Sequence, residues 1–239
     1  MPFLAGQPAW NFGKTKEDDP GVRKTSETFR AKRIDNFARW RSTQRRLGTI
    51  PDTQAPLAKN EQLAFLIGMT LGDGHLEAFP RSERLRIVLG TDKPLLWQHT
   101  ARVVRNVFSK EPWVHRRKQA ACVEISLYQT RLSERLGVPT GDRRRRPVRL
   151  PAWIRSDRQY LIACLKGLFE AEGSCSVHAP TYTYNLSFSN SNPALLDEVE
   201  WALRSLGFHP ERRSLAVRLR RKQEALCFIE LIGFRSYNS

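Results

Sequence analysis

The feature that most constrains this chain is an internal repeat. Residues 61–137 and 153–234 pass through the same patterns in the same order. Each copy opens on an apolar helix of about a dozen residues ending in acid–Gly, EQLAFLIGMTLGDGHLEAF in the first and RQYLIACLKGLFEAEGSCSV in the second. Strand-like alternation follows in LRIVLG and YNLSFSN. An amphipathic helix comes next, KPLLWQHTARVVRNVF against NPALLDEVEWALRSLGF, in which Leu95, Leu96 and Phe108 match Leu195, Leu196 and Phe208. A second hairpin-like stretch, WVHRRKQAACVEISLY against ERRSLAVRLRRK, leads to a closing helix, with Gly137 matching Gly233. Each copy therefore reads αββαββα, and the fold class is α+β with two pseudo-symmetric halves.

The two opening helices carry the chemistry. Gly68 and Gly72 are four residues apart, as are Gly167 and Ala171, so small residues share one helix face. Glycine inside a helix costs about 1 kcal/mol relative to Ala. Close packing of the two helices against each other offsets that cost. Each helix then ends in a carboxylate, Asp73 or Glu172, followed by a capping glycine. An acid at that end faces the negative pole of the helix dipole, unfavourable by a few tenths to about 1 kcal/mol. Two such acids at equivalent places predict a bound cation. Side by side they repel unless a metal sits between them. Oxygen ligands favour Mg²⁺, which keeps its waters and takes phosphate oxygens; such an ion activates water for phosphodiester cleavage.

The partner follows from charge. Lys plus Arg number 40 against 24 Asp plus Glu, a net charge of +16. That excess favours a polyanion. No apolar run approaches membrane-spanning length and the N-terminus lacks a secretory pattern, so the expectation is nucleic acid, with the chain at DNA in the cytoplasm or an organelle and not secreted. The cysteines, Cys122, Cys164, Cys175 and Cys227, form no C-x-x-C pair. Cys164 and Cys227 read as core.

The paired motifs, 99 residues apart and each followed by the same strand and helix order, resemble the LAGLIDADG homing endonucleases, specifically the single-chain type with two motif copies. The resemblance covers about residues 61–236. It implies motif helices at the interface between halves, saddle-shaped antiparallel sheets in the DNA major groove, and a cut across the minor groove leaving short 3′ overhangs. Asp73 and Glu172 match the catalytic, metal-binding acids, with the backbone carbonyls of Gly72 and Ala171 as further candidate ligands and Ca²⁺ or Mn²⁺ as substitutes for Mg²⁺. The family often carries a basic residue after the last strand of a half, near the catalytic water. Lys222 takes that position in the second half, whereas the first offers Tyr128 or Gln129.

The strands are expected to carry the DNA face. Arg84, Arg86, Arg116, Arg117, Lys118, Arg212, Arg213, Arg218 and Arg220 fall in or beside them. Tyr182, Thr183, Tyr184, Asn185, Ser187, Ser189 and Asn190 add polar reach. His75 invites a His-nuclease reading, but a plain strand residue is the simpler one. Trp97, Trp113, Trp153 and Trp201 read as core or hinge packing. The expected boundaries are a basic arm and linker over 1–56, a first half over 57–138, a basic linker over 139–152, and a second half over 153–239. The arm has one expected helix, from about Thr25 to Arg46, and reads either as a solvated tail or as a DNA-binding arm. The linker's run of arginines reads as a solvated loop or as a phosphate contact. Two unlike halves in one chain imply a monomer on a long non-palindromic DNA site. An RNA-splicing maturase acting on intron RNA, or a DNA-binding regulator, are the alternatives on the same scaffold.

Overall fold

The computed structural model describes residues 8–32, 34–50, 55–118, 120–144, 146–178, 180 and 183–236. Contacts divide the chain into two units, residues 1–52 and 53–239.

The first unit contains helices α1 (Pro20–Ala31) and α2 (Ala38–Arg46). Asp19 caps α1 by accepting from the amides of Gly21 and Val22, with Pro20 at the first helical position. The single helix expected over Thr25–Arg46 is thus two. The Asp35 carboxylate accepts from the Phe37 amide at 3.1 Å, a local turn that competes with helix continuation. Neither helix buries a residue.

In the second unit the repeat becomes two halves of one topology. The first runs α3 (Glu61–Leu71), β1 (Gly74–Phe79), β2 (Ser82–Gly90), α4 (Pro94–Phe108), β3 (Trp113–Arg116), β4 (Cys122–Gln129) and α5 (Leu132–Leu136). After a short α6 (Ala152–Arg155) the second runs α7 (Arg158–Glu172), β5 (Gly173–His178), β6 (Thr183–Ser189), α8 (Pro193–Ser205), β7 (Glu211–Arg212), β8 (Ala216–Leu219) and α9 (Lys222–Ile232). The sheets are antiparallel, in the orders β1-β2-β4-β3 and β5-β6-β8-β7.

Binary patterning sets which face is covered. Leu76, Leu85, Ile87, Ile125 and Leu127 lie on one face of the first sheet, and Leu186, Phe188, Val217 and Leu219 on one face of the second. These faces pack on α3, α4, α7, α8 and α9, and among the described residues no helix of this unit packs on the opposite, uncovered faces. Two readings of the apolar residues are corrected. Leu95 is 43% exposed, because Pro94 and Pro193 both occupy the first helical position and so align Leu96, not Leu95, with Leu195. Cys227 is exposed, because the buried stripe of α9 runs through Ala225, Phe228 and Ile232.

Helices α3 and α7 cross at glycine. A Cβ built on Gly68 would lie 2.1 Å from the Cys164 carbonyl oxygen, and one on Gly167 would lie 2.2 Å from that of Phe65. The clash is reciprocal and involves backbone on both sides, so no side chain can move to relieve it. Near the helix ends, a Cβ on Gly72 would meet the Ala171 Cβ at 2.5 Å. The small-residue face therefore serves close approach along its whole length.

Candidate active site and nucleic-acid face

That close approach delivers the two acids to one place. Asp73 lies one residue beyond the Gly72 cap of α3, and Glu172 is the last residue of α7. Asp73 is exposed and Glu172 half-buried. The Asp73 carboxyl is pushed up to about 6, first by loss of hydration and then by repulsion from Glu172, against a smaller downward pull from Lys93. Glu172 is also raised by burial, an effect opposed by a hydrogen bond from Asn190 Nδ2 to its Oε1 at 3.2 Å.

Each acid thus has a polar neighbour from the segment just before α4 or α8. Lys93 stands before Pro94 in TDKP, and Asn190 shortly before Pro193 in NSNP. Sequence reasoning placed Asn190 among DNA contacts and missed Lys93. The signal was the matched Pro-initiated helix, whose preceding loop lies at the acid end of each sheet.

The structure does not bring Lys222 to the acids. Gly173 pairs with Phe188, and Tyr184 with Val177, so Tyr184 is four residues along the sheet from the acid end, about 13 Å. Lys222 Nζ lies over the Tyr184 ring at 5.4 Å, at that far end. Tyr128 and Gln129 are distal in the same way, opposite Arg84 and Glu83 near the β1–β2 turn. In an antiparallel hairpin a residue after the last strand falls at whichever end the register dictates, and here it is the wrong one.

The donor set fits a divalent cation that keeps most of its waters. Asp73 and Glu172 supply paired carboxylates with the carbonyls of Gly72 and Ala171 alongside. Among the described residues no group of three or more His, Cys, Asp or Glu side chains is poised for a metal. Two carboxylates and water suit a hard divalent cation held without an all-protein cage.

Strand register sorts the expected DNA contacts. Arg84, Arg86 and His75 lie on the uncovered face of the first sheet, where His75 opposes Arg86 and Glu77 opposes Arg84. Glu124 and Ser126 from β4 share it. Here the arginines are tied to carboxylates: Arg84 and Arg117 to Glu124, the latter at 2.6 Å, and Arg86 to Glu77 at 3.8 Å. Burial would raise Glu124, but the hydrogen bonds and charges of Arg117 and Arg84 outweigh it and hold the group below the usual carboxylate range. Lys118 is exposed in the β3–β4 turn, and Arg116 is exposed but opposes core residue Val123 and so points to the helical side of the edge strand. Trp113 is corrected from core: it is 57% exposed, on the uncovered face, stacked on His115 at 4.8 Å. The half-buried Trp153 packs on Tyr160 at 5.2 Å and Trp201 under Arg155 at 3.9 Å.

On the second sheet Asn185, Ser187 and Arg218 share the uncovered face with Ser174 and Ser176, and Ser189 continues the row. Ser174 and Ser187 hydroxyls lie 2.9 Å apart. Two expected contacts fall on the other side. Arg212 opposes Val217 and is held by Asp197 of α8 at 3.2 Å, and Tyr184 opposes Val177 on the helical face. Arg213 and Arg220 are exposed beside Glu211. Tyr182 lies outside the described residues.

Comparison with known proteins places this architecture. Residues 159–233 match the family described as LAGLIDADG-like domain. Variants of the homing endonuclease I-DmoI share the fold at a TM-score of 0.50 and 18% identity over 72% of this chain and 94% of theirs. I-DmoI in complex with DNA and Mn gives 0.50 and 19%, over 72% and 96%. Full-length DUF199/WhiA from Thermatoga maritima gives 0.52 and 18%, over 77% of this chain and 60% of that one. No curated protein sequence matches the chain. Residues 159–233 are thus similar to a LAGLIDADG-like domain, and the two halves together share the fold of these solved structures.

Proposed function

We propose that this LAGLIDADG chain is a site-specific double-strand DNA endonuclease, a homing endonuclease that hydrolyses phosphodiester bonds with Mg²⁺ and leaves short 3′ overhangs. The observation that carries the reading is the acid pair: two carboxylates held together by a glycine crossing, with the Asp73 carboxyl, still reached by solvent, raised to about 6 by partial loss of hydration and by Glu172. A structural role gains little from such mutual repulsion; a divalent cation between the acids relieves it. I-DmoI has been seen with DNA and Mn, and a variant of it with target DNA in the presence of Mg, which supports the same class of ion here.

The bound ion would supply a nucleophilic hydroxide at neutral pH and neutralise charge on the leaving oxygen. Asp73 and Glu172 would hold it in their ionised forms. Asn190 fixes the Glu172 carboxylate, and Lys93 favours ionised Asp73. The uncovered sheet faces would bind the duplex, with Arg84, Arg86, Arg117 and Arg218 reading bases or phosphates. The basic helices α1 and α2 would add phosphate contacts. The unlike faces of the two halves favour a monomer on a long non-palindromic site.

Likeness to WhiA as well as to I-DmoI means that the fold alone does not select cutting. A regulator or intron-RNA maturase reading keeps the scaffold and has no use for paired acids. The test is incubation of the chain with a randomised duplex library and Mg²⁺, followed by sequencing of ends. Discrete double-strand breaks at one site are expected; an uncut library that is nevertheless bound selectively would replace the nuclease with a regulator.

A further inference from the structure

The segment joining the halves is built into the acid cleft. Gly141, Arg143 and Arg144 line a cleft together with Gly72, Glu172 and Asn190. The segment is fixed to both halves. The Gly141 amide donates to the Leu76 carbonyl at 2.8 Å. Arg143 Nη2 donates to the carbonyls of Thr70 at 2.8 Å and Gly74 at 2.5 Å, so its guanidinium straddles the backbone turn that carries Asp73. From the second half, Asn192 Nδ2 donates to the carbonyls of Arg143 at 2.5 Å and Arg146 at 3.1 Å. Asn192 is itself fixed, because its Oδ1 caps α8 through the Leu195 amide.

A slack tether has no need of these anchors, and a solvated arginine run has no reason to insert one guanidinium beneath an acid-bearing turn. The next side chain is left outside. Arg144 is 77% exposed and, among the described residues, its charge pairs with an exposed Asp142 carboxylate at 3.8 Å, a pair that solvent renders weak. A phosphodiester entering this cleft meets the Glu172 carboxylate, with Asp73 just beyond the Gly72 that also lines it, and needs positive charge on its open side. A guanidinium matches phosphate geometry with paired donors.

We propose that the Gly141–Arg144 loop is a phosphate-holding wall of the acid cleft, in which Arg143 positions the Asp73 turn and Arg144 contacts the DNA backbone at the site of cutting. This rests on the nuclease reading for the word cutting and on DNA binding alone for the contact, so the two are tested separately.

The full chain carrying Arg144→Gln is compared with wild type and with Arg149→Gln, a control that removes an 83% exposed charge from the same segment away from the cleft. The first probe is a duplex of arbitrary sequence, titrated with Ca²⁺ between about 50 and 200 mM salt. Arg144→Gln should make the slope of log K against log salt shallower by about 0.9, the loss of one phosphate contact, and Arg149→Gln should not. The second probe is the duplex recovered from the cleavage library. Arg144→Gln should slow single-turnover cutting about tenfold or more, with Arg144→Lys restoring part of the rate. Unchanged slope and rate in Arg144→Gln overturn the proposal, as does an equal slope change in both variants, which would report net charge alone. If wild type cuts no duplex while Arg144→Gln still flattens the slope, the loop contact stands and the nuclease reading falls.

Discussion

The two halves share one topology and differ in what they present. At the acid end, the first half offers exposed Asp73 with Lys93 nearby, and the second offers half-buried Glu172 held by Asn190. On the sheet faces, the first sets Arg84, Arg86 and Arg117 against Glu77 and Glu124, whereas the second sets out Ser174, Ser176, Asn185 and Ser187 with Arg218. The halves share the frame, namely the glycine crossing and the strand order, and at the crossing a change clashes with backbone. The residues that differ most lie at the acid ends and on the faces opposite the core.

The largest test removes what the halves have in common. Asp73→Asn and Glu172→Gln keep size and most packing and delete the charge that holds a cation. Each should abolish double-strand cleavage while leaving duplex binding within a few fold, since affinity comes from the basic faces. Ca²⁺ should support binding without cutting. Cleavage and gel-shift on one cognate duplex decide it. Double-strand cutting by either variant at wild-type rate would mean that the acids are not equivalent partners at all.

The next test strikes the frame. Gly68→Ala forces a methyl into the Cys164 carbonyl, and Gly167→Ala does the same at Phe65. Each should destabilise the second unit by about 3 kcal/mol, the upper end of overpacking costs, since the obstacle is backbone. Urea melts should show similar losses for the two, because the clashes are reciprocal. A loss confined to one variant would show that the crossing is less symmetric than the sheets.

Much of this frame was legible in the sequence. Apolar periodicity, Pro-initiated helices and acid–Gly endings revealed two copies of αββαββα because each is a local pattern that repeats. The acids were legible for the same reason. What escaped depends on long-range register. Lys222 follows the last strand, but only the pairing of β6 with β8 shows that this end is remote from Glu172. Arg212 sits in a strand of two residues, too short for alternation to reveal that it faces α8. Lys93 was marked only by its place before a Pro-initiated helix, Arg143 lies in a loop whose sequence gives no direction, and the folded chain is what brings both to the acids.

A gentler probe is pH, which should distinguish the acids without mutation. Asp73 is the acid raised to about 6. A carboxyl whose folded value exceeds its unfolded value of 3.8 binds its proton more tightly in the folded state. Its contribution to metal-free stability is therefore complete below about pH 4 and lost as pH rises through 6. Because Asp73 keeps an exposed edge, water weakens the effect and the change in melting temperature should be small. Cleavage runs the other way: it should fall as pH drops through about 6 at low Mg²⁺, and more Mg²⁺ should move the midpoint lower by competing with the proton. Asp73→Asn should flatten the stability profile. A profile unchanged by that substitution would assign the titration to Glu172.

The smallest expected effects separate the two faces. On the first sheet Glu124 is 5% exposed and holds Arg84 and Arg117 in fixed poses. Pinned guanidiniums suit bidentate contacts to guanine, so Glu124→Gln should cost about 1–3 kcal/mol of discrimination at a base of the first half-site. The same change deletes a negative charge from the face proposed to meet DNA, so binding to arbitrary duplex should tighten slightly. Specificity and non-specific affinity thus move in opposite directions, which a simple loss of folding cannot mimic. On the second sheet Ser187→Ala removes a hydroxyl already satisfied by Ser174 and leaves every charge in place. Its cost in the second half-site should stay below about 1 kcal/mol, the net worth of a neutral hydrogen bond. Binding to a library of singly substituted sites measures both. If Ser187→Ala degrades its half-site as much as Glu124→Gln does the other, the contrast between a charged, pinned face and a small polar one has no bearing on recognition.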